Sequence, residues 1–189
     1  MKKSSFTLKP FDRAEPREVK DISVKGNVCR EGDGIVLSYH LQSRESMIAD
    51  KVNIPEWPRC ADRCDGLWEH TCLECFVARS EENQYWEYNV APSGSWNVYR
   101  FHGYRIGGET TTEIRRPTIE SVISGRTWSA RIRMQLPVMV HAWKVLQLGI
   151  TAVLEHPRGQ LSYWALDHET TRPDFHCRKT FLVEIANDD

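Results

Sequence analysis

Apolar and polar positions alternate through much of this chain. Across 127–136, Trp128, Ala130, Ile132, Met134 and Leu136 fall on one side, with Ser129, Arg131, Arg133 and Gln135 on the other. A period of two is the signature of an antiparallel strand with one buried face. Ile35, Leu37, Tyr39 and Leu41 repeat it in 34–42, and Leu146, Leu148, Ile150, Ala152 and Leu154 in 145–155. Phe181, Val183 and Ile185 mark a last strand. Shorter runs at 22–29, 47–54, 68–78, 84–91, 95–102 and 161–166 bring the total to about ten, separated by Gly, Pro and Asn. Such spacing predicts an all-β sandwich or barrel. Helical signal is confined to Pro137–Trp143, where a proline suits the first turn. Ala91-Pro92-Ser93-Gly94 predicts a tight hairpin turn. Pro55–Gly66 and Gly103–Arg126 break the pattern, the second with an edge strand expected near Ile114. Long excursions from a rigid β scaffold are where binding groups gather.

The chain has 189 residues, enough for one domain, with a core expected over about 6–185. Lys and Arg number 25 against 26 Asp and Glu, for a formal charge of −1. That balance offers no footprint for nucleic acid or an anionic bilayer. No apolar run approaches a membrane span, and the amino-terminal MKKSSFTLKPF lacks the apolar stretch of a signal peptide. A cytoplasmic location with reduced cysteines is the expectation.

Candidate chemistry concentrates in 67–105. By parity Trp68, His70, Cys72, Glu74 and Phe76 share one strand face, opposite Leu73, Cys75 and Val77. Tyr85, Glu87 and Asn89 share a face of the next strand. After the hairpin, Trp96, Val98, Arg100 and His102 alternate with Asn97, Tyr99 and Phe101. Aromatic rings supply stacking area, while Glu, Asn and Arg supply directed hydrogen bonds. A flat ligand with many hydroxyls needs both. Ordinary Glu–Arg pairing across a solvated sheet face is the competing reading.

The strings LWEHTCLECFVA (67–78), YWEYNVAPSGSWNVYRFHGYR (85–105) and SYWALDHETTRPDFH (162–176) resemble the DOMON-like proteins of the type-9 group. That group is related to the family-9 carbohydrate-binding modules. The resemblance runs from about Phe6 to Ile185. It implies an immunoglobulin-like, jelly-roll β-sandwich of two antiparallel sheets, with a non-catalytic ligand site on one sheet. In those modules two Trp rings hold the end of a sugar chain, so Trp68 and Trp164 become the expected clamp. Glu74 matches their acidic position, and Asn89 and Arg100 are expected as hydrogen-bonding partners. Glu87, Trp96, Arg105, His168 and Trp57 form a second ring of candidates. The expected partner is a carbohydrate or similar polyhydroxylated small molecule, and no cofactor is expected.

Other readings stay open. The wider DOMON group includes haem binders with Met and His ligands, and Met47, Met134 and Met139 are present here. Cys60, Cys64, Cys72 and Cys75 have the look of a zinc or other structural metal site, yet Cys72 and Cys75 should face opposite ways within a strand. Glu74 and Glu87 could pair as in a glycosidase. Exposed aromatics such as Trp57 and Trp96 would equally suit a protein partner.

Overall fold

The computed structural model describes residues 3–11, 17–55 and 61–187. Twelve strands are described: β1 (Ser4–Pro10), β2 (Ile22–Glu31), β3 (Gly34–Ser43), β4 (Cys72–Ala78), β5 (Tyr85–Val90), β6 (Trp96–Gly103), β7 (Ile106–Thr110), β8 (Thr118–Ser124), β9 (Thr127–Gln135), β10 (Val145–Glu155), β11 (Leu161–Ala165) and β12 (Val183–Ala186). A single helical turn, α1 (Val138–His141), follows Pro137 as the proline predicted. Among the described residues no helix is long and apolar enough to cross a membrane.

The strands form an antiparallel β-sandwich. One layer runs β8-β9-β3-β2-β1, and the other runs β7-β6-β5-β4-β10-β11 with β12 also beside β10. Strand β1 belongs to both layers. Ser4–Leu8 pair with β2, while Lys9 and Pro10 pair with Ala165 and Trp164 of β11. The alternation explains the packing directly. Leu37, Tyr39, Leu41, Trp128 and Ile132 meet Leu73, Cys75, Val77, Trp86, Tyr88, Ile150 and Trp164 in one core. The Tyr39 hydroxyl crosses that core, 2.8 Å from the Glu74 carbonyl oxygen and 3.1 Å from that of Thr151.

Every position of β4 and β5 is buried, outer face included. Alternation alone would leave that face wet. It is covered because Phe76, Tyr85, Tyr99 and Phe101 project outward and pack with Phe181 and Phe175 in a second aromatic cluster. The covering residues come from the segment between β11 and β12, which crosses the outer face of the sheet. Gly149 of β10 permits the crossing: a Cβ there would lie 2.6 Å from the Phe181 ring.

Some expected elements fall elsewhere. Residues 47–54 form no strand; they hold a 3-10 turn at Ile48–Asp50 and loop, with Ile48 and Val52 buried in the core and Ile54 packed against it. Trp68 lies in a 3-10 turn, Leu67–Glu69, ahead of β4 rather than within it. The edge strand expected near Ile114 begins at Thr118, and β1 and β7 were not expected. Strand β7 is Ile-Gly-Gly-Glu-Thr with no fully buried position, so no apolar alternation announces it.

Candidate functional site

A cavity of about 450 Å³ lies between the outer face of the β11-β10-β4-β5-β6 layer and the segment leading to β12. Strand registry builds its floor. Glu74 pairs with Thr151 on one side and Asn89 on the other, while Glu87 pairs with Phe76 and Tyr99. Glu74 and Glu87 are thus diagonal neighbours on one face, with α-carbons about 7–8 Å apart. Val153 and Tyr163 extend the floor over β10 and β11, and Phe76, Tyr99 and Phe101 over the other strands. The rim comes from outside the sheet: Trp68 in its 3-10 turn, Arg105 and Gly108 beside the β6–β7 turn, and Pro173, Phe175 and His176 in the crossing segment. Trp68 is 42% exposed and meets Tyr99 edge-on at 6.0 Å, so a face of its indole is open.

The polar groups are held firmly. Glu74 is 2% exposed, and its Oε2 accepts a hydrogen bond from Thr151 Oγ1 at 3.0 Å. Its Oε1 has no partner among the described residues. Glu87 Oε1 accepts from Asn89 Nδ2 at 2.8 Å, and its Oε2 lies 3.8 Å from His176 Nε2. Arg105 and Tyr104 both donate to Asp174, at 2.9 and 2.8 Å, and the His176 backbone N–H adds a third donor at 3.2 Å. Arg105 adopts a left-handed backbone, φ 54°, which turns its N–H onto the Tyr85 hydroxyl oxygen at 3.2 Å. Having accepted there, Tyr85 donates to His176 Nδ1 at 2.9 Å. That assignment puts the proton of a neutral His176 on Nε2, facing Glu87.

Burial sets the charge states. It pushes the Glu74 carboxyl well above the usual range, with Glu87 adding repulsion and the Thr151 hydrogen bond opposing. Burial also lifts Glu87 to about 7, against the pull of Asn89 and Arg105. His176 falls to about 4, through burial and then the neighbouring Arg105, with Asp174 opposing. At neutral pH the cavity therefore presents a Glu74 biased toward its protonated form, a Glu87 near its midpoint and an uncharged imidazole.

Of the residues singled out from sequence, Trp68, Glu74, Glu87 and Arg105 line this cavity. Asn89 sits behind, orienting Glu87. Trp164 does not oppose Trp68: it is 1% exposed in the core between the layers, with its Nε1 on Ser162 Oγ. Its neighbour Tyr163 faces the cavity instead, as alternation requires. Arg100 and Trp96 point to the same core side of β6. Arg100 donates to Gln84 and lies over Trp86, and Trp96 packs under the Arg63 guanidinium. His168 donates to the Lys9 carbonyl near Phe11, away from the cavity. Trp57 and Cys60 lie outside the described residues. Cys72 faces Asn89 while Cys75 is in the core, so the two thiols cannot share an ion. Met134 is a core residue, Met47 and Met139 are on the surface, and none of the three lines the cavity. The sequence reading missed Phe175 and His176, which belong to a segment without periodicity. Tyr99 and Phe101 were legible, since parity places them with Glu87.

No protein-family model matches the sequence, and no curated protein matches it. Solved structures similar to it include a candidate carbohydrate-binding protein from Bacteroides uniformis ATCC 8492, with a TM-score of 0.59 and 14% identity over 95% of this chain and 85% of that one. Also similar is a family-9 carbohydrate-binding module from Caldicellulosiruptor kristjanssonii. Its glucose complex gives a TM-score of 0.52 and 10% identity over 94% of this chain and 82% of that one. Its cellotriose complex gives 0.54 and 9%, over 97% and 81%. At these identities the likeness establishes the fold.

Proposed function

We propose that this protein binds the end of a carbohydrate, or a similar polyhydroxylated small molecule, in the cavity on the outer sheet face, without transforming it. The observation that carries the reading is Glu74: a buried carboxyl in the lining of a cavity walled by aromatic rings, with one oxygen that has no partner among the described residues. An orphaned buried acceptor or donor costs about 1–3 kcal/mol, which a ligand hydroxyl placed there would recover. Trp68 offers an open ring face for stacking a sugar, and Phe175 and Tyr99 supply further apolar contact. Three similar structures are named for carbohydrate binding, two of them in complex with glucose and cellotriose.

The same geometry supports binding without catalysis. A glycosidase needs carboxyls on either side of the scissile bond, about 5–10 Å apart. Glu74 and Glu87 lie side by side on one floor, and Asp174 above them is occupied by Arg105 and Tyr104.

The test is thermal unfolding against mono- and oligosaccharides at about 10 mM. A ligand with a millimolar Kd adds about 1.4 kcal/mol by mass action. That should raise Tm by about 3–6 °C at this chain length. The shift should vanish in Trp68→Ala, whose half-exposed ring contributes little to the core. No shift with any sugar in a cooperatively unfolding sample would refute the reading, and release of reducing ends during incubation would refute its non-catalytic part.

A further inference from the structure

We propose that the preferred ligand carries a protonated amine, as an amino sugar or amine-bearing polyol does, and that this ammonium group sits between the Glu74 and Glu87 carboxyls. The inference rests on the carbohydrate reading above and names its ligand class.

Charge balance is the argument. Two carboxyls share the cavity floor, and among the described residues lining it the one fixed cation is Arg105. Arg105 is already tied to Asp174 at 2.9 Å, and Asp174 also takes donors from Tyr104 and the His176 backbone. His176 Nε2 lies 3.8 Å from Glu87 but belongs to an uncharged ring, held so by burial and by the neighbouring Arg105. Thr151 and Asn89 contribute one neutral hydrogen bond to each carboxyl. No free cation is therefore left to let both carboxyls ionise, and Glu74, which lines the cavity, has no partner on its Oε1 among the described residues. A neutral hydroxyl would add a hydrogen bond and leave the carboxyls holding the protons they already bind. An ammonium supplies three donors and the missing charge together. The surrounding aromatic faces, Trp68, Tyr99, Phe101 and Phe175, are also the lining that favours a cation over a neutral group.

The groups facing the two carboxyls fix the pH behaviour. Cys72, Tyr85 and Tyr99 approach from the neighbouring strand positions, Arg105, Asp174 and His176 from above, and the Tyr39 hydroxyl touches the Glu74 backbone from the core side. None titrates toward a positive charge near neutrality, so binding an ammonium must instead expel a proton from the carboxyls to solvent.

The experiment is isothermal titration of the full chain at pH 7 with three hexoses, their 2-amino forms and their N-acetylated 2-amino forms: glucose, galactose and mannose, each in its three states. The amino form should bind about tenfold more tightly than its parent, an advantage that acetylation removes. Repeating the titration in two buffers of different ionisation enthalpy should show proton release for the amino form alone. In Glu74→Gln the amino-to-parent ratio should fall toward one; the ligand-side comparison needs no variant and stands if that one folds poorly. Equal binding of amino and parent sugars, or acetylated forms matching the amino forms, would overturn the amine while leaving carbohydrate binding intact. Binding of none of the nine would overturn both.

Discussion

Glu87 illustrates how a single carboxyl records its surroundings. In the unfolded chain it ionises near 4.5, and in the folded protein near 7. Between those values the native state holds a proton that the unfolded chain has released, so this residue lowers stability as pH rises through the window. Glu74 is shifted in the same direction by the same cause, its burial. His176 acts oppositely: its value drops from 6.5 to about 4, so its contribution is lost as pH falls across that range. The two slopes overlap, and a plain stability profile would partly hide both. The difference between Glu87→Gln and the parent isolates one. Thermal melts from pH 4.5 to 8 should show the variant gaining stability relative to the parent with each step upward and levelling off above about pH 7. A constant difference would show that Glu87 is not the strained group. Glu74 with Phe76, and Glu87 with Asn89, were legible as sharing a face of their own strands because parity in a strand is rigid. The same parity places Arg100 and Trp164 on the core side, and there the expectation drawn from sugar modules overrode the alternation.

Two irregular elements decide whether the floor of the cavity has walls. The β6–β7 turn bends back at Arg105, and the segment between β11 and β12 is pinned to it through Asp174. The Arg105 side chain is half exposed, so the pair itself adds little to global stability. Its effect should be local. In Asp174→Ala, amide exchange around 172–177 should accelerate and any bound ligand should dissociate faster, while Tm falls by less than about 3 °C. A fall in Tm without faster exchange would contradict this division of labour. Phe181 anchors the other end of the segment against Phe76 and Tyr85. Phe181→Ala should cost about 3–5 kcal/mol, measurable in urea, because a fully buried ring packed on Phe76 and Tyr85 leaves a cavity when it is removed. Strands with a clean period of two were predictable from sequence; this crossing segment was not. Its residues are chosen for contacts with one sheet face, which leaves no repeat to detect.

At the scale of the molecule the cavity is braced from behind. The Tyr39 hydroxyl, presented by the opposite layer, reaches the carbonyl oxygens of Glu74 and Thr151 on the two central strands of the floor. Tyr39→Phe should cost about 1 kcal/mol, seen as a fall in Tm of about 2–4 °C. Ligand affinity should weaken along with it, since Glu74 loses its backbone brace. An unchanged Tm would mean that the sandwich holds the strands in register without this bond. The class of fold was visible in the sequence because both layers alternate. Their connection was not, because it depends on β1, a short strand whose Ser and Lys positions hide the pattern.

That connection has a consequence for how the protein is made. Strand β1, which precedes every other described strand, completes its pairing with Ala165 and Trp164, and the cavity floor joins residue 74 to residue 151. Contacts so distant along the chain close late and slowly, on the scale of milliseconds to seconds for β-rich topologies. The emerging chain must therefore hold β4 without its second partner until β10 has left the ribosome, and β1 without its own until β11 has. A fragment ending before residue 145 would lack the strand that joins β4 to β11, and with it any cavity at all.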